Sequence, residues 1–239
     1  MTLQDALYKF HGAQKGEELT SHFKELAPYF LYKGYYQIGN DYQIYIRTVE
    51  FYFHAEKGSI WKEKDPIVYH RNDKFAEGEI PYIPFMALHA HQSGFDITFE
   101  NVDEKYRASA LIRAYEVFDL KNRYFLKYNT TKGLFVKCEE MIQFNTQSTY
   151  LHCFLNGFNK DNIVWCDEDR KQNIDLLQKR RKGVFKTIDE ETYKPLLDSE
   201  NHKVNDEREW SFTRQEDIEI SKKSYKERIS RLNIIKAPQ

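Results

Sequence analysis

A chain of 239 residues suits one large domain or two small ones. Its composition, 41% hydrophobic and 31% charged, is ordinary for a globular protein, and a formal net charge of −1 offers phosphate no global attraction, so any nucleic-acid affinity must rest on local patches. Three cysteines, Cys138, Cys153 and Cys166, without a Cys-x-x-Cys spacing argue against a disulfide scaffold or a zinc ribbon and fit a reducing compartment.

Residues 1–15 lack the apolar core of a signal peptide and no window approaches a membrane span, so the expectation is a cytoplasmic protein without a membrane partner. The 17 Tyr and 17 Phe exceed what core filling needs; tyrosine suits half-wet walls, where the ring packs and the hydroxyl reaches water or a ligand.

Residues 1–17 are polar, with two glycines, and read as a loose N-terminal arm or a short helix. Leu19, Phe23, Leu26 and Phe30 recur at helical spacing over residues 18–32, with Pro28 threatening the last turn. Residues 35–38, the turn Gly39-Asn40-Asp41 and residues 42–54 predict a β-hairpin with a long second strand. Strict alternation puts Ile44, Ile46, Thr48, Glu50, Tyr52 and His54 on one face, and Tyr45, Arg47, Val49, Phe51 and Phe53 on the other. Both sets carry apolar groups, which predicts a central strand covered on both sides. Residues 57–84 read as a long ordered loop of the kind that carries function.

Residues 87–99 and 108–118 predict two further strands, with 124–128, 134–138 and 150–154 as extensions. Residues 170–186 hold seven basic side chains against one acid, and Ile174, Leu176 and Leu177 fit a short amphipathic helix. Residues 189–210 are acidic and turn-like, and 215–233 look helical. No linker stands out. The expected architecture is α+β: a single domain over 1–239 with a curved, largely antiparallel sheet flanked by helices, residues 161–239 forming a C-terminal elaboration.

Glu50 and Tyr52, two apart on one strand, share a face, and an arginine and a histidine from elsewhere can complete a pocket for a flat ring and a water. Three stretches carry a resemblance: Lys24-Glu25-Leu26-Ala27 with Leu31-Tyr32-Lys33-Gly34; Arg47-Thr48-Val49-Glu50-Phe51-Tyr52; and Leu111-Ile112-Arg113-Ala114-Tyr115-Glu116. Between the last two lies Asp65-Pro66-Ile67-Val68-Tyr69-His70. In this order they resemble the alkyladenine (3-methyladenine) DNA glycosylases, over residues 18–120.

The resemblance implies the fold of that family, shared with the formyltransferase C-terminal domain. It also implies base-excision repair by a monofunctional hydrolase that flips a modified purine out of DNA. Glu50 then activates the hydrolytic water and Arg113 orients it, while Tyr52 and His70 wall the base pocket. A carboxylate suits this chemistry because positive charge builds on the sugar as the bond breaks, and flat side chains replace the base's lost stacking neighbours.

The family's Tyr-Gly-x-x-x-x-x-Asn is matched here by a segment from His89-Ala90-His91 to Asp96. His89 and His91 thus fall at the wedge or DNA contact, and Asp96 at the pocket asparagine. The family's Gly-Pro-Gly element is missing. Arg170, Lys171, Lys179, Arg180, Arg181 and Lys182 are the candidate phosphate contacts in its place.

His89-x-His91 also has the one-face geometry of metal ligands, but no metallohydrolase pattern accompanies it. No metal or other cofactor is expected. The expected partner is duplex or single-stranded DNA with a modified base, met by a monomer. The rival expectations are a non-catalytic nucleic-acid or base-binding protein that keeps the fold, and a glycosidase acting on nucleosides or single strands.

Overall fold

The computed structural model describes residues 1–12, 18–65, 67–68, 80–91, 94–125, 128–129, 134–135, 162–168, 175–181 and 206–214. The N-terminus forms a docked helix, α1 (Leu3–His11), rather than a loose arm. A capping box starts it: the Thr2 hydroxyl accepts from the Asp5 N–H at 3.0 Å, and the Asp5 carboxylate accepts from the Thr2 N–H at 2.9 Å. Its buried face, Leu3, Ala6, Leu7 and Phe10, packs on the second helix, α2 (Leu19–Leu31), which buries Leu19, Phe23, Leu26 and Phe30 as their spacing predicts.

Pro28 does not break α2. It withholds one N–H from the carbonyl of Lys24, which sits on the exposed side where water can serve it, and the Tyr32 N–H still closes on the Pro28 carbonyl at 2.9 Å.

Eleven strands follow among the described residues: β1 (Gly34–Ile38), β2 (Tyr42–Ala55), β3 (Leu88–His91), β4 (Gly94–Thr98), β5 (Tyr106–Asp119), β6 (Tyr124–Phe125), β7 (Tyr128–Asn129), β8 (Leu134–Phe135), β9 (Ile163–Asp167), β10 (Leu176–Lys179) and β11 (Ser211–Arg214). Nine of them form one open antiparallel sheet in the order β10-β11-β2-β5-β4-β3. β1 flanks β2 beside β11's end and carries β9, β6 extends β5, and β7 pairs with β8 apart from the main sheet.

The alternation expected along β2 fails at one place. Ile46 faces Tyr115, Thr48 faces Ala114 and Val49 faces Ile112, leaving Arg47 as an extra residue in β2 and Arg113 as an extra residue in β5. Two offset bulges reverse the phase of both strands. The core side is therefore Ile44 and Ile46 before the bulge, then Val49, Phe51, Phe53 and Ala55 after it; in β5 it is Tyr106, Ala108, Ala110 and Ile112, then Tyr115 and Val117. Apolar groups on both nominal faces of β2 are the signature of this phase change. Glu50, only 4% exposed, shows that the face away from the helices is nevertheless covered.

Three further expectations are corrected. Residues 87–99 form the hairpin β3–β4 instead of one strand, because His91 faces Gly94 with only two residues between them. Leu176 and Leu177 lie in a strand, not a helix: β10 has β11 beside it to complete a ladder, and so short an apolar run carries no period of its own. Of the segment expected as a C-terminal elaboration, β9, β10 and β11 are members of the main sheet, and β11 lies directly against β2. Residues 150–154 and 215–233 lie outside the described residues. No described helix is long and apolar enough to cross a membrane.

Candidate active site

Strand register assembles a row of side chains on the sheet face opposite the helices. Ser211 lies opposite Glu50, Glu50 opposite Leu111, Leu111 opposite Asp96, and Asp96 opposite His89. Directly paired residues across antiparallel strands share a face. Glu50, from one stretch of sequence, and Asp96 and His89, from another, are thus one line across β2, β5, β4 and β3. Leu111 is buried but outside the main core, as membership of this second face requires.

Glu50 is the centre of the polar part. Arg113 donates from Nε to Glu50 Oε2 at 2.7 Å, and the Tyr52 hydroxyl donates to the same oxygen at 3.2 Å. Oε1 of Glu50 has no protein partner among the described residues. The Arg113 side chain keeps 26% of its surface exposed, so the pair sits at the edge of solvent. Arg113 reaches Glu50 because it is the bulged residue of β5, which turns its side chain away from the core. Arg47, the bulged residue of β2, pairs in the same way with Glu116, its Nε at 2.7 Å.

Electrostatics at the site are dense. Burial opposes the charge on Arg113, but Tyr52, Glu50 and Asp96 outweigh it and hold the guanidinium above its ordinary pKa. Burial pushes the Tyr52 phenol above its ordinary value, with Glu50 and Asp96 adding to the effect and Arg113 and Arg181 opposing it. Asp96 is 3% exposed and accepts from the Ser109 hydroxyl at 3.3 Å, which links it to the residue opposite Tyr52.

Of the residues expected at the site, Glu50, Tyr52, Arg113 and Asp96 lie near one another. His89 is in the row but farther out, on β3, and is half-buried; His91 is in the same strand. His70, Arg170, Lys171 and Lys182 lie outside the described residues. Lys179 and Arg180 are exposed at and just after β10. Among the described residues no group of three or more His, Cys, Asp or Glu is arranged to hold a metal.

Arg181 differs most from expectation. It is a buried residue, not a surface phosphate contact: its side chain is 0% exposed. Its Nε donates to Asp206 at 2.6 Å, and its Nη1 donates to Asp65 at 2.7 Å and to the Phe51 carbonyl at 3.2 Å. A basic run signals charge but not depth, and Asp65 and Asp206 are too remote in sequence for these pairs to be read from it.

A cavity of about 490 Å³ opens elsewhere, between the start of α2 (Glu18, Thr20), Trp61 and the segment Arg208 to Trp210. It does not include Glu50 or Arg113. Comparison with known families, curated proteins and solved structures finds no match for this chain.

Proposed function

We propose that the protein is a monofunctional N-glycosidase that releases a modified purine from DNA by hydrolysis. The observation that supports this reading best is the state of Glu50: Oε2 is fixed by Arg113 and Tyr52, while Oε1 has no protein partner among the described residues. A carboxylate held on one oxygen and open on the other is oriented to take a proton from a water. The paired guanidinium favours its ionised form.

In the proposed reaction the sugar–purine C–N bond breaks and the purine leaves with the bonding electron pair. Positive charge develops on the sugar, and Glu50 stabilises it. The water oxygen bonds to the sugar carbon as its proton passes to Glu50, which returns it to solvent or to the departing base. Tyr52 supplies a ring for the extruded purine, a contribution of about 1–3 kcal/mol for one stacked base. Asp96, in the same row, accepts from the donors on the base edge. Lys179 and Arg180, exposed at the sheet's end, would serve phosphate.

Assays on duplexes containing hypoxanthine, ethenoadenine or 3-methyladenine, with alkali added afterwards to cut the strand at each abasic site, test the reading. Base release by the wild type and its loss in Glu50→Gln is the expected result. Equal activity of the two proteins removes Glu50 from the mechanism. Binding without release by either leaves a nucleic-acid-binding protein, and release from nucleosides alone leaves a nucleosidase.

A further inference from the structure

We propose that Arg181 is a positioning residue of the Glu50–Arg113 site, acting through Tyr52. The role it would serve rests on the glycosidase reading above; its hold on Tyr52 does not.

The guanidinium of Arg181 lies 4.5 Å from the centre of the Tyr52 ring, within the range of a cation–π contact. No other cation or ring stands over Tyr52 among the described residues. One face of the phenol is therefore taken, and a planar ligand that stacks on Tyr52 uses the other. The hydroxyl at the end of the same ring donates to Glu50 Oε2. A tilt of the ring moves both the stacking surface and the hydrogen bond that sets the carboxylate.

Arg181 is itself fixed more firmly than a contact residue needs to be. Three strong acceptors hold it: the Phe51 carbonyl, one residue from Tyr52 along β2; Asp206, before β11; and Asp65. Asp65 is fully buried and begins the segment that leads to His70. Its N–H also donates to His54 Nδ1 at 3.2 Å, and Arg208 approaches its second oxygen at 3.0 Å. One guanidinium thus anchors the strand bearing Glu50 and Tyr52, the root of the histidine segment and the approach to β11. Trp210, at 5.1 Å from Arg181, packs against it.

The test labels the protein with 3-fluorotyrosine and follows the Tyr52 resonance, assigned by its loss in Tyr52→Phe. The charged groups that act on Tyr52 are Glu50, Arg113, Arg181 and Asp96. Arg181→Gln removes the cation that lies over one face of the ring, so the resonance should move. Arg181→Lys, which keeps a charge near the ring, should move the resonance less than Arg181→Gln.

On a duplex substrate, Arg181→Gln should lower kcat about 100-fold, the scale of a misplacement near 1 Å, with KM little changed. Arg181→Lys should recover most of the loss. A Tyr52 resonance unmoved in both variants overturns the proposal, as does a loss confined to KM or left unrelieved by lysine. A resonance that moves in a protein whose wild type releases no base sinks the glycosidase reading and leaves the Arg181–Tyr52 coupling standing.

Discussion

Glu50 carries two separable demands, charge and shape. Glu50→Gln keeps the shape but removes the proton acceptor, and base release should fall by about 10²–10⁴-fold, the range for losing a general base, while the fold survives. Arg113→Lys should cost less than Arg113→Gln in the same assay, because an ammonium preserves the countercharge without the geometry of Nε. At the far end of the core His11 sets a stability prediction. Its ring donates to the Phe99 carbonyl at 3.2 Å, and burial lowers its pKa below 6.5 although that carbonyl and Glu104 pull the other way. The unfolded ring therefore protonates first as pH falls, so this part of the stability is complete above about 6.5 and drains away below it. The melting temperature should fall between about pH 7 and about pH 5, and His11→Gln should flatten part of that slope.

Among the elements, the paired bulges decide the most. Without them β2 and β5 would keep one phase, and either Phe51 and Phe53 or Ile44 and Ile46 would leave the core. The loop between β2 and β3 depends on another buried cation. Arg107, fully buried, donates to Glu56 and Glu100 at 2.9 Å each and to the carbonyls of Ile80 and Pro81. Arg107→Met strands two buried carboxylates, and denaturant unfolding should show a loss of about 3–5 kcal/mol. The variant that also carries Glu56→Gln and Glu100→Gln should regain part of it. The β1–β9 pair has a closer tolerance still. A Cβ at Gly34 would lie 2.4 Å from the Trp165 ring and 2.6 Å from the Cys166 carbonyl. Gly34→Ala should therefore loosen β9 and speed hydrogen exchange of residues 163–167, while amides at the centre of β5 keep their protection.

For the molecule as a whole, the late strands are structural members of the sheet that holds Glu50. β11 pairs with Thr48 to Glu50 and buries Phe212; the Trp210 carbonyl takes the Phe51 N–H at 2.8 Å. A chain ending at residue 205 would expose that edge of β2, and calorimetry should show no cooperative transition. High pH should weaken the whole protein as well. Burial pushes the phenols of Tyr36, Tyr52 and Tyr106 above their ordinary value of 10, so the unfolded chain ionises first and stability falls as pH rises past about 10.

The sequence alone determined what local rules control. Leu19, Phe23, Leu26 and Phe30 marked α2 by their spacing, and Gly39-Asn40-Asp41 marked the first hairpin, with Gly39 at φ +49. The shared strand face of Glu50 and Tyr52, with the order of short motifs, made Glu50, Tyr52 and Arg113 candidates for one site. Tertiary structure alone decided the phase change at Arg47 and Arg113, since an extra residue is defined only against a partner strand. It likewise turned Leu176 and Leu177 into a strand and drew Arg181 inside. A ladder or an ion pair stabilises its members only once its other half, distant along the chain, has arrived.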